Sequence, residues 1–461
     1  MKKANRSTPH QVPREEERLF EGLDTLEPNA AGIDIGSQTH YVSVPEDRDT
    51  PSVRTFGCTT PDLQQMAVWL KQCRIRSIVL ESTSVYWIPV YQVLQDAGFQ
   101  VSLVDARHAR NVPGRKSDVW DACWLRKLHT FGLLRGCFLP PADIVELRTY
   151  WRHRQSLVEG CAQQIQRQQK ALEQMNLQIH KVLSDISGVT GRRIIEAILA
   201  GERDPKKLLT LKHPFCKHSD AQILAALTGH YRAEHLFTLQ QALAAYDFFQ
   251  AQIAQCDAQI QTCLARFEDK APPTDPPAKP PARRKNQPHF DLAAELRRIS
   301  GVDLTRIEGI QASTAQTLLS EVGTDLSAFA SEKHFASWLG LCPNHRITGG
   351  KVQSRKTRPV CNRVAKALRI AAQSLHHSKS ALGAFYRRIL ARSGPSKAVT
   401  ATAHKLARII YRLLRYGEAY VAQGESAYEQ QHRERSLRSL QKRAAEMGYT
   451  LAPAGGTPNV S

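Results

Sequence analysis

Short strand-type runs alternate with helical periodicity between residues 30 and 135. The segments TTPDLQQMAVWLKQC and VYWIPVYQVLQDAG, and a third that begins near Ser117, carry apolar residues at helical spacing. Three strands followed by alternating helices and strands predict a mixed α/β sheet, with right-handed crossovers in its parallel part. The strand-type runs are AGIDIG, HYVSVP, VRTFG, SIVLES and QVSLVDA.

The middle of the chain has a different pattern, which is long, glutamine-rich and helical. One such stretch covers about 143–185 and a second covers 238–269. Two long amphipathic helices predict an antiparallel coiled coil, formed either within the chain or between subunits. Between them, SGVTGRRIIEAILAGERDP predicts a glycine-rich turn that enters a helix.

These patterns divide the chain into six segments. The proline-rich, basic stretch KAPPTDPPAKPPARRKNQPHF has the composition of a linker. The predicted segments are a loose leader (1–28), an α/β catalytic domain (29–142), a helical or coiled-coil region (143–269), the linker (270–290), a mainly α C-terminal domain (291–420), and a polar helix with a tail (421–461).

The composition narrows the class of partner. The 461 residues carry a formal net charge of +20, which favours a polyanion such as nucleic acid or an anionic membrane surface. No apolar run approaches the ~20 residues of a membrane-spanning helix, and the first residues lack the apolar segment of a secretory signal. We therefore expect a nucleic-acid partner.

Cysteine usage indicates a reducing, cytoplasmic location. The ten cysteines are scattered, contain no CxxC pair and lie partly inside helical patterns. The segment HPFCKH offers His213, Cys216 and His218, but it lacks the second ligand pair of a structural zinc site. We predict neither disulfides nor structural zinc.

Four acids carry the chemistry of the α/β region. Asp34 lies in GIDIG near the end of the first strand, and Glu81 ends the strand SIVLE. Asp118 and Asp121 lie three positions apart on one helix, where like charges repel by about 0.2–0.5 kcal/mol. A solvated helix face is the ordinary explanation of such a pair. Because sites in α/β sheets form at the carboxyl ends of strands, we predict instead that the four acids share a two-metal site for Mg²⁺ (or Mn²⁺) and a phosphodiester.

The motifs GIDIG, VLEST and GRKSDVWDACWL together resemble the DEDD transposases of bacterial insertion sequences. These transposases use a bridge RNA and are relatives of the Piv and MooV DNA invertases. The segment KSDVWDA is the most specific part of the match. The resemblance implies a RuvC-like, ribonuclease H-type N-terminal domain. It also implies metal-binding roles for Asp34, Glu81, Asp118 and Asp121.

The C-terminal domain is basic to an unusual degree. From Lys333 to Gly417 there are eighteen lysines and arginines and no aspartate or glutamate. A solvated surface normally mixes both signs, so this stretch indicates contact with a phosphate backbone. The residues predicted to bind nucleic acid are Lys351, Arg355, Lys356, Arg358 and Arg363.

Residues 306–323, RIEGIQASTAQTLLSEVG, resemble a helix-hairpin-helix element. In such an element the free N–H groups of the hairpin and helix N-terminus receive a phosphate. Gln311 replaces the second glycine of that hairpin, and a helix start that only packs is the open alternative.

Residues 338–375 carry a second resemblance to the same transposases. The family has a Gly-Leu-x-Pro stretch followed by Ser-Gly-Gly-Lys, and its serine joins covalently to DNA. Thr348 occupies the serine position here, and the resemblance implies the nucleophilic role for it. Ser354 is the alternative hydroxyl, and a buried or capping threonine in a copy that no longer transposes is the third possibility.

We therefore predict a DNA transposase or site-specific recombinase. The resemblance implies DNA ends, a non-coding guide RNA and further copies of the chain, as a dimer or tetramer, as partners. Two alternatives remain open: a ribonuclease H-fold nuclease of the junction-resolvase kind, and a non-catalytic nucleic-acid-binding derivative.

Overall fold

The computed structural model describes residues 20–82, 84–105, 117–271, 285–354 and 356–451. The chain divides into two compact units, Met1–Leu139 and Pro140–Ser461. The first unit alternates strands and helices as the sequence predicts. Its elements are β1 (Ala30–Ile35), β2 (Thr39–Ser43), β3 (Val53–Gly57), α1 (Thr60–Gln72), β4 (Ser77–Glu81), α2 (Trp87–Asp96), β5 (Gln100–Val104) and α3 (Asp118–Thr130).

The five strands form one mixed sheet in the order β3-β2-β1-β4-β5. The pairs β1–β2 and β2–β3 are antiparallel, whereas β1–β4 and β4–β5 are parallel. The parallel pairs need crossovers, and α1 and α2 supply them. The predicted mixed α/β sheet is confirmed.

Local signals in the sequence explain where the crossover helices begin and end. Thr59 and Asp62 form a capping box at the start of α1, and proline occupies its first turn. After α2, Gly98 has a φ of 88°, which ends the helix as predicted.

The predicted loose leader is wrong at its C-terminal end. Phe20 is buried, stacks on Phe131 with a ring-centroid distance of 4.8 Å, and contacts Trp124 at 5.5 Å. Residues 1–19 lie outside the described residues. An aromatic anchor that pairs with the far end of α3 is not visible in the local polarity of this segment.

Among its described residues, the second unit forms helices and one short β-hairpin. Its helices are α4 (Ala142–Gln174), α5 (Ile179–Val182), α6 (Val189–Leu199), α7 (Pro205–Leu209), α8 (Asp220–Ala226), α9 (Ala233–Ala265), α10 (Leu292–Ser300), α11 (Ala312–Val322), α12 (Glu332–Trp338), α13 (Arg363–Ser374), α14 (Ala381–Ser393) and α15 (Pro395–Glu446), with β6 (Arg346–Thr348) and β7 (Lys351–Ser354) before α13.

The two long helices α4 and α9 pair within the chain. Gln168 donates to the carbonyl of Ala242 at 3.3 Å, and Arg266 at the other end pairs with Glu146 at 2.6 Å. The residue numbers rise on one helix as they fall on the other, so the pair is antiparallel. Of the two pairings left open by the sequence, the structure shows the one within the chain.

A buried ion pair lies at the centre of this helical hairpin. Arg154 and Asp257 are 3% and 2% exposed at their side chains, and Asp257 also accepts from the Nδ1 of His289 at 2.8 Å. A buried carboxylate is tolerated only when its hydrogen bonds are satisfied. His289 belongs to the predicted linker, so the end of that linker is held against the helices.

Helix α4 also joins the hairpin to the C-terminal part of the unit. Trp151 donates to the hydroxyl of Thr317 at 2.9 Å, and Arg148 donates to the carbonyl of Glu321 at 2.8 Å. Arg152 makes two hydrogen bonds, of 2.8 and 2.7 Å, to the Glu321 carboxylate. The predicted helical region and C-terminal domain therefore share one compact unit.

The long helix α15 is interrupted at Gly417, whose φ and ψ of 81° and 175° are not helical. Its first part is tied to α12 through Glu332, which accepts from Arg408 at 2.8 Å and from Arg412 at 3.0 Å. Among the described helices none is long and apolar enough to cross a membrane.

Replacing Glu332 with alanine should lower the free energy of unfolding by about 2 kcal/mol, because two arginines lose a charged acceptor. Burial by itself would raise the pKa of Glu332, but hydrogen bonds from Arg412 and Arg408 outweigh it and leave the pKa below its usual value. The stabilisation is therefore present above the unfolded-state pKa and is lost as the pH falls through the folded-state pKa.

Urea unfolding at neutral and acidic pH measures this effect. The control is Glu434→Ala, which removes an exposed pair with Arg438 at 3.9 Å and should change stability by less than about 0.5 kcal/mol. Equal losses in both variants would show that Glu332 does not anchor α15.

Candidate active site

Asp34 and Glu81 lie side by side on adjacent parallel strands. The register pairs Ala30 with Ser77 and Ile33 with Leu80, and one further step places Asp34 beside Glu81. Neighbouring strands are about 4.8 Å apart, and side chains at matched positions point to the same face. Both carboxylates are half-buried.

Helix α3 crosses the same face of the sheet. A Cβ atom at Gly32 would lie 2.4 Å from the carbonyl oxygen of Ala122 and 2.4 Å from the amide nitrogen of Arg126. Only glycine permits this approach, and Gly32 shares a face with Asp34 because side chains alternate along a strand. The start of α3, one turn before Ala122, is thereby brought to Asp34.

The two glycines of GIDIG have different roles. Gly36 lies in the turn between β1 and β2, where its N–H donates to the carbonyl of Thr39 at 3.1 Å. Gly32 instead makes room for a helix, which is a tertiary contact that sequence does not display.

The four predicted acids act on one another electrostatically. The pKa of Asp34 is raised from its ordinary 3.8 to about 6, first by burial and then by the negative charges of Asp121, Asp118 and Glu81. Two strands and one helix thus gather four carboxylates with no compensating cation among the causes of that shift.

The start of α3 favours its two aspartates. Ser117 caps the helix by accepting a hydrogen bond from the N–H of Trp120 at 3.2 Å, and Asp118 and Asp121 occupy the first turn. Negative side chains are stabilised there by the helix dipole, by about 0.3–1 kcal/mol. This offsets the repulsion between Asp118 and Asp121 within the helix, but it does not offset their repulsion with Asp34.

The donor set fits a hard divalent cation. All four side chains are carboxylates, the ligands that Mg²⁺ and Mn²⁺ prefer, and a cation would relieve the repulsion that raises the pKa of Asp34. In the described parts of the chain, no three histidine, cysteine, aspartate or glutamate side chains are grouped closely enough to hold a metal as they stand. Metal binding here would therefore draw the carboxylates together.

Sequence reasoning did not single out Tyr41, which the sheet places beside Asp34. The antiparallel register pairs Asp34 with Tyr41 and Gly32 with Ser43. The hydroxyl of Ser43 accepts from Arg126 of α3 at 3.0 Å, so this face of β2 is the one that α3 covers. Only knowledge of the strand register identifies Tyr41 as a neighbour of the acids.

Thr348 lies in the second unit, at the tip of a hairpin. It ends β6 and pairs with Lys351, and the two-residue loop between them is Gly349–Gly350, with φ values of 55° and 75°. Positive φ at both loop positions is the geometry of a type I′ turn. Thr348 is exposed, so it is neither a buried nor a helix-capping threonine.

Ser354, the alternative hydroxyl, has a different environment. It is half-buried at the end of β7, and its oxygen accepts from the N–H of Lys356 at 3.3 Å. The hairpin itself was not predicted from the sequence.

The residues predicted to bind nucleic acid differ in whether their side chains also make hydrogen bonds within the protein. Lys351 and Lys356 are exposed on or beside the hairpin. Arg358 donates to the carbonyl of Ser337 at 2.9 Å, and Arg363 donates to Gln155 at 3.2 Å, so both also hold the fold together. Arg355 falls outside the described residues.

The helix-hairpin-helix-like segment is packed against α13. A Cβ atom at Gly309, where φ is 87°, would lie 3.1 Å from the carbonyl oxygen of Ala371. Every residue of α11 from Ala315 to Val322 is buried. The structure therefore shows a helix that packs against its neighbours, which is one of the two alternatives for this segment. Gln311, just before the first residue of α11, is exposed.

The raised pKa of Asp34 predicts a pH-dependent instability. Ionisation of Asp34 is less favourable in the folded chain, so the penalty is absent below about pH 3.8, grows as the pH rises through about 6, and is complete above it. In EDTA, Asp34→Asn should therefore raise the thermal midpoint at pH 8 and have little effect at pH 4.

Thermal unfolding of Asp24→Asn provides the control, because Asp24 is an exposed aspartate in the same unit. Added Mg²⁺ at pH 8 should raise the midpoint of the natural protein more than that of Asp34→Asn. A midpoint for Asp34→Asn that parallels the natural protein at every pH would contradict the clustering of the four acids.

Comparison with known proteins gives matches in both units. Residues 31–177 match the DEDD transposase family of the IS110 type, described as "Transposase", and residues 303–387 match "Transposase IS116/IS110/IS902 family". A protein of Sinorhizobium fredii (strain NBRC 101917 / NGR234), "Putative transposase y4pF/y4sB", is 34% identical over 124 residues, which are 25% of this chain and 32% of that protein. The first family match contains all four acids and the second contains Thr348. The chain belongs to the IS110 family of DEDD transposases.

Proposed function

We propose that the protein cuts and rejoins DNA strands as the transposase of an insertion sequence. The observation that carries the proposal is that Asp34 and Glu81 lie on adjacent strands covered by the helix that begins with Asp118 and Asp121, and that these three neighbours add to the effect of burial in raising the pKa of Asp34. Such a cluster is unfavourable for a fold that has no cation to bind. The α/β order of the first unit supports a RuvC-like fold for it.

The four carboxylates would hold Mg²⁺ or Mn²⁺ in this proposal. When bound, the metal ions would neutralise charge on the phosphate that is being cut. The chain's own contribution is to fix the carboxylates on two strands and a capped helix, which are rigid supports. Without a cation the same cluster would repel the DNA backbone.

Thr348 is the proposed nucleophile. Its Oγ1 forms a bond to phosphorus, the bond from phosphorus to one sugar oxygen breaks, and that sugar oxygen takes up a proton as it leaves. The proton of the threonine hydroxyl passes to a base, as hydroxyl nucleophiles require. Exposure at the tip of a two-glycine turn supports this role, because the backbone there leaves room for DNA.

The acid-free stretch from Lys333 to Gly417 supplies the phosphate contacts in this proposal. Exposed Lys351 is the cross-strand partner of Thr348, and exposed Lys356 lies at the other end of the hairpin, where its carbonyl accepts from the N–H of Asn344 at 2.9 Å. Arg408 and Arg412 pair with Glu332, so these two cations serve the fold instead.

A guide RNA and an oligomer complete the proposal, and both rest on family resemblance. The four acids belong to the first compact unit and Thr348 to the second. We propose that an RNA-bound dimer or tetramer brings the hydroxyl of one subunit to the acids of another.

Asp121→Asn should reduce strand cleavage at least about a hundredfold in Mg²⁺, since several kcal/mol of charge stabilisation depend on the site. Binding of DNA should change little, and the thermal midpoint in EDTA should not fall, because the replacement removes a charge that raises the pKa of Asp34. Cleavage of supercoiled DNA carrying the element ends measures the effect, with Asp96→Asn, an exposed aspartate at the end of α2, as the matched control. Normal cleavage by Asp121→Asn would refute the metal-site assignment.

Trapping of a covalent protein–DNA adduct on a nicked substrate tests Thr348. Peptide mass spectrometry should locate the linkage at Thr348, Thr348→Ala should abolish it, and Thr348→Ser should react at least as fast because the extra methyl group crowds the approach to phosphorus. Ser354→Ala should leave the adduct intact. A linkage at Ser354 would overturn the assignment, and cleavage with no adduct would favour a junction-resolvase-like nuclease.

A further inference from the structure

The segment between the end of strand β4 at Glu81 and the first turn of α2 carries three exposed apolar side chains. Val85, Tyr86 and Ile88 are 62%, 43% and 39% exposed. Val85 lies four residues beyond Glu81, so it is at most about 14 Å from that carboxylate's Cα atom. Single exposed apolar residues are common, but three within four positions form a patch that indicates a partner.

The backbone holds these side chains outward. Ser84 has a φ of 51°, a left-handed conformation that costs a residue other than glycine about 1 kcal/mol. The N–H of Ile88 then donates to the carbonyl of Val85 at 3.2 Å and closes a turn. The described residues 84–88 therefore have a defined backbone shape, in which Val85 and Tyr86 are exposed.

Trp87, which lies between Tyr86 and Ile88, is packed into the fold. Trp87 packs edge-on against Tyr91, with ring centroids 5.8 Å apart, and contacts the apolar core beneath α2. One large apolar side chain of this loop is thus used by the fold, while its neighbours Val85 and Tyr86 are not. Their exposure is not explained by packing within the described residues.

The chemistry of the patch favours nucleobases as its partner. Residues 82–88, STSVYWI, contain no charged side chain, so this segment offers a phosphate no ion pair, and its exposed large side chains are apolar or aromatic. The chain itself keeps Val85 within about 14 Å of Glu81, one of the acids at which, in the proposed function, a phosphodiester is cut. Apolar side chains that contact DNA beside such a site insert between bases or stack on them.

We propose that Val85 and Tyr86 form a base-contacting lip that holds an unstacked nucleotide next to the phosphate being cut. The inference rests on the proposed function and extends it to how the site selects distorted DNA. Tyr86 supplies an aromatic face for the base, and Val85 fills the gap left in the stack. The lip favours DNA that is nicked or opened at the step beside the cut.

Fluorescence of 2-aminopurine tests the lip with the full-length protein. The probe is a nicked DNA duplex with 2-aminopurine beside the nick, measured in Ca²⁺ so that binding is observed without strand cleavage. Binding of the natural protein should raise the emission, and the Val85→Ser/Tyr86→Ala double variant should lose that rise. Tyr86→Phe should keep it, because the aromatic face remains.

Affinity gives an independent readout. The Kd for the nicked duplex should rise about tenfold in the double variant, while the Kd for an intact duplex stays the same. Val68→Ser is the matched control, since Val68 lies on α1 of the same unit and is 56% exposed. Thermal midpoints of all variants should agree, as the replaced side chains are exposed.

The outcomes separate the lip from the function on which it rests. Suppose that the natural protein binds the nicked DNA and later cuts it in Mg²⁺. If its emission then does not rise, or rises no more than that of the double variant, only the lip is refuted. A natural protein that binds neither duplex, or binds them and never cuts in Mg²⁺, overturns the proposed function instead. Loss of the emission rise in the Val68→Ser control would also count against the lip.

Discussion

The approach of helix α3 to strand β1 at Gly32 is the constraint on which the candidate site depends. The backbone of Ala122 and Arg126 occupies the space where any other residue would carry its Cβ atom. Because α3 begins one turn before Ala122, this contact fixes Asp118 and Asp121 over the strand that carries Asp34. Without it, the two strand acids and the two helix acids would be independent surface features.

The arrangement of the four acids costs stability near neutral pH. Burial and three neighbouring negative charges raise the pKa of Asp34 to about 6, so the ionised site opposes folding near neutral pH. The capped start of α3 offsets part of this, because Ser117 and the helix dipole stabilise negative side chains there. A bound cation would remove the remaining repulsion among the carboxylates, and this relief would make the cation bind more tightly.

The second unit shows how a strongly basic chain retains a packed interior. Its acids are placed where they bind arginines internally: Glu321 accepts from Arg152, Asp257 from Arg154, and Glu332 from Arg408. These pairs tie the helical hairpin and the C-terminal helices into one body. The stretch from Lys333 to Gly417 contains lysines and arginines but no aspartate or glutamate. The hairpin that carries Thr348 therefore lies in a positively charged part of the sequence.

The sequence by itself determined the elements of the first unit and the identity of its acids. Period-two and helical patterns located the five strands and the helices α1 to α3, and the motifs around Asp34, Glu81, Asp118 and Asp121 indicated the family, because both signals are local. Only the tertiary structure decided which residues meet. Strand register brings Tyr41 to Asp34, Gly32 admits a helix, Phe20 is drawn from an apparently loose leader onto α3, and the turn after Glu81 holds Val85 outward. These contacts join residues distant in the chain or depend on backbone angles, and neither is encoded in the polarity of neighbouring positions.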